Sequence, residues 1–182
     1  MGGDRGRSRA DRLFADGAIA AELWGALTTA GQPFDIEPCG LAARDVLRLE
    51  MGYPLYGQDL GPDRTTLEAG LGWAVSFDKG PFVGREALER QRDAGLPSLL
   101  SGLATADRRQ IPRAHHPIIA RDRTAGEVTS GTYSPLLGHG IAMAYLSPAD
   151  AFEPGTGVEI DIRGRRAPAT VVRTPFVDRS PR

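Results

Sequence analysis

The sequence has 182 residues, of which 41% are hydrophobic and 25% charged, and its formal net charge is −1. This composition is typical of a globular protein with a buried core, and so small a net charge favours neither nucleic acid nor an anionic membrane as a partner. Cys39 is the only cysteine and no apolar run approaches the roughly 18 residues of a membrane helix, so we expect a cytoplasmic protein without an internal disulfide.

The first half of the chain is predicted to be largely helical. Residues 1–11 are polar and rich in arginine, and we expect them to form a disordered arm. Apolar residues at helical spacing, with glycine near the ends, predict helices over 18–30, 41–50 and 85–94. Gly31 is expected to cap the first of these helices at its C-terminus.

Two further segments lie between the predicted helices. Residues 53–68 contain several prolines and glycines, which is typical of a loop. Residues 71–77 are short and mostly apolar, and we predict a strand there.

Beyond Gly95 the pattern changes to short apolar segments separated by proline and glycine. These segments are 98–106, 117–120, 126–133, 141–146, 157–162 and 167–174. Such a series is typical of a small antiparallel β-barrel or sandwich, with Gly164 in a hairpin turn between the last two strands. The sequence therefore predicts an α+β fold with a helix-rich part at 12–95 and a β-rich part at 96–178.

Two polar segments contain residue types that are common in metal sites and catalytic sites. His115 and His116 invite a metal site, but neighbouring residues on a strand point to opposite faces, and we predict no metal there. Ser130 lies in TSGTYS without the surroundings of a catalytic serine, and we predict that it is a turn residue.

Three other residues have a binding role or a structural role as alternatives. Arg44, in GLAARD, could make a two-pronged bond to a ligand, or could be a surface partner of Arg48 or of a neighbouring acid. Trp73 is flanked by small residues, so it could stack on a flat ligand or belong to the core. Tyr56 could present its hydroxyl from the loop or pack beneath it.

Seven motifs, in order along the chain, resemble those of the folate-dependent aminomethyltransferases, the T-proteins of the glycine cleavage system. They are AELWGAL (21–27), CGLAARDVLRLEMGYPLYGQD (39–59), LEAGLGWAV (67–75), FVGREALERQ (82–91), IPRAHHPII (111–119), GEVTSGTYSPLLGHGIAMAYL (126–146) and PFV (175–177). The resemblance covers residues 18–178 and corresponds to the C-terminal half of the family's chain.

The resemblance implies a function. T-proteins take the aminomethyl group from the lipoyl arm of H-protein, release ammonia and pass the one-carbon unit to tetrahydrofolate. Arg44 matches the family's folate-binding arginine and Trp73 its tryptophan near the ligand, and Tyr56 is added as a candidate contact. Residues 12–95 would then be a remnant of the folate-binding domain, and 96–178 the C-terminal barrel.

The resemblance also implies what the sequence lacks. The family's N-terminal aspartate and its GYTGE-like motif have no counterpart, so we expect no catalytic residue in this chain and no transfer by it alone. One alternative is a non-catalytic module that complements a separate N-terminal half. Another is a folate-dependent demethylase or amine dehydrogenase relative. The expected partners are lipoylated H-protein and tetrahydrofolate, with no nucleic acid and no membrane.

Overall fold

A computed structural model describes residues 13–148 and 152–178 of the chain. The predicted arm at 1–11 lies outside these residues. The chain divides into two compact units, one ending at Cys39 and the other beginning at Gly40. This division differs from the predicted one near residue 95, because residues 40–95 group with the barrel. No helix among the described residues has the length and apolar character needed to cross a membrane.

The first unit is a single α-helix between two 3₁₀ turns. The turn Gly17–Ile19 leads into helix α1, Ala20–Gly31, and a second turn, Gln32–Phe34, follows directly. The helix predicted at 18–30 is therefore present, but Gly31 does not cap it in a left-handed conformation. Asp35 takes that conformation instead, with φ of 54°. Gly31 makes room for the side chain of Ile36, which an added Cβ would overlap.

The other two predicted helices have the predicted bounds. Helix α2 is Leu41–Glu50 and helix α3 is Arg85–Ala94. Glycines in positive-φ conformations flank α3 on both sides, since φ is 89° at Gly84 and 85° at Gly95. These conformations are strained for other residues, so the two glycines define where α3 begins and ends.

The strand predicted at 71–77 is wrong. The chain forms 3₁₀ turns there, at Gly72–Ala74 and Phe77–Lys79. The backbone bonds are local, from Ala74 N–H to the Leu71 carbonyl at 2.9 Å and from Val75 N–H to the Gly72 carbonyl at 3.0 Å. None of the described strands pairs with residues 71–77. Their backbone N–H and C=O groups therefore bond to each other within the turns.

The rest of the second unit is a closed barrel of six antiparallel strands. The strands are β1 Leu99–Thr105, β2 Pro117–Ala120, β3 Arg123–Ser134, β4 His139–Leu146, β5 Gly157–Ile162 and β6 Arg165–Val172. Their order around the barrel is β1-β4-β3-β2-β5-β6, and β1 closes it by pairing with both β4 and β6. Gly164, with φ of 80°, lies in the tight turn between β5 and β6, as predicted. The α+β fold with a small antiparallel barrel is confirmed.

Two apolar clusters hold the second unit together. The barrel interior contains side chains from every strand, among them Leu103, Ile118, Val128, Ile160 and Val171. A second cluster lies outside the barrel wall, where Leu49 of α2 packs with Ile141 and Met143 of β4. Helix α2 is thus fixed to the barrel by apolar burial, and this contact positions the polar groups described next.

Candidate functional site

A buried arginine joins α2 to the barrel. Arg48 is 8% exposed, and its guanidinium uses all five of its N–H donors. The bonds run from Nε to Asp45 (2.7 Å), from Nη1 to Asp59 (2.6 Å) and the Tyr53 carbonyl (3.3 Å), and from Nη2 to Gln58 (3.0 Å) and Ser130 (2.9 Å). Removing a guanidinium from water is costly, because the charged group loses its hydration. Hydrogen bonds to every N–H donor offset that cost.

Asp59 is the centre of the same network and is only 1% exposed. Besides Arg48, its carboxylate accepts the Leu55 N–H at 2.8 Å and the Thr129 hydroxyl at 2.5 Å. The Tyr145 hydroxyl donates to the Asp59 carbonyl oxygen at 2.9 Å. The loop 53–59 is therefore held between α2 and strands β3 and β4.

A second buried carboxylate, Glu68, holds the segment that leads to Trp73. Its oxygens accept the Ser98 hydroxyl at 2.8 Å, the Thr65 N–H at 3.1 Å and the Gln91 side-chain N–H at 3.1 Å. Burial acts to raise the pKa of Glu68, but the hydrogen bonds from Thr65, Ser98 and Gln91 outweigh it, so the pKa lies below its ordinary value of 4.5. Glu68 is therefore charged at neutral pH.

Tyr145 lies between the two networks. The guanidinium of Arg64 stacks over its ring, 4.4 Å from the centroid. Burial raises the pKa of the Tyr145 hydroxyl to about 12, and the charge of Arg64 opposes the shift while those of Glu68 and Asp59 add to it. Tyr145 thus remains a neutral hydrogen-bond donor at every physiological pH.

A cavity of about 850 Å³ opens between the loop 56–64 and the wall of the barrel. Its lining includes the polar residues Tyr56, Gln58, Asp59, Asp63, Arg64, Glu127, Thr129 and Tyr145. The cavity has the size of a small-molecule site and carries both carboxylates and a guanidinium. It can therefore bind a ligand that has hydrogen-bond donors as well as acceptors.

The three residues predicted to bind a ligand lie at different places around this site. Tyr56 is 75% exposed and lines the 850 Å³ cavity. Trp73 is 83% exposed and lines a smaller cavity of about 240 Å³, beside Tyr53 and Gly70. Arg44 is an exposed residue of α2, one turn before Arg48, and lines neither cavity. Their proposed contacts with folate stay predictions.

The interpretation of Ser130 as a turn residue is wrong. Ser130 lies inside β3, is 3% exposed and accepts from Arg48. The neighbouring Gly131 is needed for close packing, because an added Cβ would lie 2.7 Å from the Pro112 carbonyl oxygen. Small polar residues around a glycine indicate a tightly packed strand here.

The two adjacent histidines have different partners. His115 Nδ1 lies 2.8 Å from a carboxylate oxygen of Glu127, whereas His116 Nδ1 accepts the Arg113 N–H at 3.1 Å. Burial first, and then the positive charges of Arg163 and Arg113, lower the pKa of His116, with Asp161 opposing them. Within the described ranges, no three histidine, cysteine, aspartate or glutamate side chains converge on a point that could hold a metal ion.

Sequence reasoning missed the residues that position the site. The sequence indicates Arg48 only as a surface neighbour of Arg44, and it does not indicate the roles of Asp59, Glu68 and Tyr145. The available signal was local: Asp45 and Arg48 at a spacing of three, and Asp59 after a loop rich in proline and glycine. The long-range partner Ser130 lies 82 residues from Arg48 and could not be found from spacing.

Comparison with known proteins accounts for most of the chain. A family model described as the glycine cleavage T-protein C-terminal barrel domain matches residues 99–178. A second, described as the GCVT N-terminal domain, matches residues 13–79. The two matches together include the barrel, α1, α2 and the loop at the candidate site.

Individual relatives agree with these matches. The chain is 53% identical to an aminomethyltransferase of Frankia alni over 88% of its own length and 43% of the relative's. It is 51% identical to one of Streptomyces avermitilis, over 92% and 46% of the two lengths. The crystal structure of the glycine cleavage system aminomethyltransferase T of Bartonella henselae matches with a TM-score of 0.77 and 34% identity, over 88% of this chain and 44% of that one. The chain spans less than half the length of these relatives, and it belongs to the glycine cleavage T-protein (aminomethyltransferase) family.

Proposed function

We propose that this chain takes part in moving a one-carbon unit from the aminomethyl-lipoyl arm of H-protein to tetrahydrofolate, with release of ammonia. Its own contribution is to bind the folate through contacts from Arg44, Tyr56 and Trp73. The proposal is supported by the family membership and by the resemblance of the GLAARD and LEAGLGW segments to the family's motifs. Lipoylated H-protein and a cytoplasmic location belong to the same proposal.

The observation that supports the proposal is the contrast between two arginines of α2, Arg48 and Arg44. Arg48 is buried with all its donors in use, whereas the Arg44 side chain has no ion pair or hydrogen bond among the described residues. The two lie one turn apart on α2. Arg48 therefore fixes the helix, and the planar fork of Arg44 is left for two acceptors on one edge of a ligand.

The backbones that carry the two aromatic residues are held in a similar way. Glu68 holds the segment before Trp73, and Asp59 holds the loop that carries Tyr56. Both rings are mostly exposed, while the hydrogen bonds of Glu68 and Asp59 hold the backbone segments that carry them. Exposed aromatic faces on such supports suit stacking against a flat heterocycle. When bound, tetrahydrofolate would accept the one-carbon unit, and these residues would hold and orient it.

The test is binding of tetrahydrofolate to the 182-residue chain, measured by calorimetry. Loss of a charge-assisted hydrogen bond costs roughly 1.5–3 kcal/mol, so we expect Arg44→Ala to weaken binding by about tenfold or more. Trp73→Phe keeps most of the apolar area and should weaken binding less. Arg90→Ala is the control, because Arg90 is an exposed arginine of α3 whose nearest acid, Glu86, lies 3.9 Å away.

Two results would contradict the proposal. One is that Arg44→Ala leaves the affinity unchanged in a folded protein, and the other is that the chain does not bind tetrahydrofolate. Folate binding and transfer of the one-carbon unit are tested separately. We expect these 182 residues to bind folate without releasing ammonia from loaded H-protein, which a direct ammonia assay measures.

A further inference from the structure

Another cavity, of about 580 Å³, lies where the loop after β1 meets the hairpin between β5 and β6. It shares no lining residue with the 850 Å³ cavity. Its charged lining consists of three arginines, Arg109, Arg163 and Arg165, and one aspartate, Asp107. A cavity with this excess of positive charge attracts anions.

The three arginines are not neutralised by the protein. Among the described residues, none of their guanidinium groups makes an ion pair or a hydrogen bond. The nearby acids bond backbone groups and form no ion pair with these arginines: Asp107 accepts the Arg109 N–H at 2.9 Å, and Asp161 accepts the Gly164 N–H at 2.6 Å.

The next residue on the same hairpin behaves differently. Arg166 lies outside the lining of the cavity and pairs with Glu159 at 2.9 Å and with Asp122 at 3.7 Å. The consecutive residues Arg165 and Arg166 of β6 therefore differ in their partners, with the paired arginine on one face of the strand and the unpaired one on the face at the cavity.

The backbone around the cavity is held in place. The Ala106 N–H donates to the Pro168 carbonyl at 3.1 Å, which fastens the loop after β1 to β6. The Thr105 hydroxyl lies 3.0 Å from the Gln110 carbonyl and fastens the other end of the same loop. Strands β5 and β6 remain paired up to Ile162 and Arg165, next to the turn. A ligand would therefore meet arginines on a framework that is already ordered.

Gln110 adds an independent observation. It lines the cavity, and its side-chain oxygen is buried without a hydrogen-bond partner. A buried acceptor without a donor is unfavourable, and most such groups in folded proteins are satisfied. A ligand that brings an O–H or N–H group would satisfy this oxygen once rotation of the Gln110 side chain turns it toward the cavity.

We propose that this cavity binds a small oxyanion that carries its own hydrogen-bond donor, with hydrogen phosphate as the simplest example. Guanidinium groups bind phosphate oxygens through paired N–H donors, and three of them can surround one phosphate group. The hydroxyl of hydrogen phosphate is the donor that Gln110 lacks. The site is separate from the proposed folate contacts and does not depend on that function.

The test uses inorganic phosphate, titrated into the 182-residue chain by calorimetry at constant ionic strength. We expect saturable binding, weakened by about tenfold or more in Arg163→Gln and in Arg165→Gln. Arg166→Gln is the matched control and should change the affinity by less than about twofold, because exposed ion pairs contribute little. Arg44→Ala should also leave phosphate binding unchanged, which separates this result from the folate test.

Two further measurements sharpen the test. Sulfate has a similar shape and charge but no hydroxyl, so it should bind more weakly than phosphate, and Gln110→Leu should remove the difference. Phosphate beside Arg163 should also raise the pKa of His116 in an NMR titration, because the anion offsets the positive charge that lowers it. Absence of saturable binding, equal binding in Arg163→Gln, or sulfate binding as tightly as phosphate would overturn the proposal.

Discussion

Arg48 shows how a single buried charge organises this part of the molecule. Its five bonds reach α2, the loop 53–59 that follows it, and strand β3, where Ser130 lies 82 residues from Arg48. Burying an ion pair adds little net stability compared with an apolar core, because desolvation offsets the attraction between the charges. Its effect is instead to specify one arrangement of the loop and the helix.

Removing Arg48 should therefore be costly. Arg48→Ala leaves the carboxylate of Asp59, which is 1% exposed, without its cationic partner. Breaking a buried pair in this way typically destabilises a protein by about 3–5 kcal/mol, and we expect a loss of that size in urea-induced unfolding. Arg90→Ala, on the exposed surface of α3, should change the free energy of unfolding by less than about 0.5 kcal/mol.

An Arg48→Ala variant as stable as the unsubstituted protein would show that the network is not structurally important. In that case α2 would be held by Leu49 and its apolar neighbours alone. The sequence could not have identified Arg48, because an arginine with two acidic neighbours on a helix is usually a surface residue. Its burial results from Ser130 and Asp59, which come from other segments.

For helices and strands, the sequence predicts the bounds of an element when residues that end regular structure, such as glycine, lie at both of its ends. Helix α3 has the predicted bounds because glycines flank it. The error at 71–77 arose because a short apolar stretch does not indicate whether a partner strand is present. Likewise, a glycine in a sequence can mark either a turn or a close contact, and Gly131 lies at a close contact with Pro112.

Gly126 provides a test of close contact between strands. It lies in β3, and a Cβ added there would overlap the carbonyl oxygen of Tyr145 on β4. The overlap is with backbone, so Gly126→Ala must push two strands apart, and we expect a loss of about 1–3 kcal/mol of stability in calorimetric unfolding. Gly157→Ala in β5 is the control, because a Cβ there meets no atom within 4 Å.

Gly157→Ala should be neutral or slightly stabilising. Alanine reduces the conformational entropy of the unfolded chain, which raises the free energy of unfolding by up to about 0.4–1 kcal/mol. Equal effects of the two substitutions would mean that glycine's backbone freedom, and not the contact with Tyr145, determines the cost at Gly126.

For the molecule as a whole, the number and position of the strands could be predicted, but their order could not. Apolar segments and intervening turns indicate six strands, whereas the pairing of β1 with both β4 and β6 joins residues that are far apart in sequence. The division after Cys39 depends on which segments pack together, and spacing along the chain does not show this.

The two units should therefore differ in local stability. No residue of the segment 13–39 is buried, and apolar side chains such as Phe14 and Trp24 are 91% and 59% exposed. Helix α1 has 12 residues, and isolated helices of about that length are marginal in water. In β4, by contrast, every residue from Ile141 to Leu146 is buried between paired strands.

We expect amide hydrogens of α1 to exchange fast and those of β4 to exchange only on global unfolding, as measured by hydrogen–deuterium exchange. Helix α3 is the control, because it also lacks a fully buried residue but is tied to Glu68 through Gln91, and its protection should be intermediate. Protection of α1 equal to that of β4 would contradict the prediction. Repeating the measurement at lower protein concentration would then identify the cause, since protection supplied by a second copy of the chain is lost on dilution, whereas protection within one chain is not.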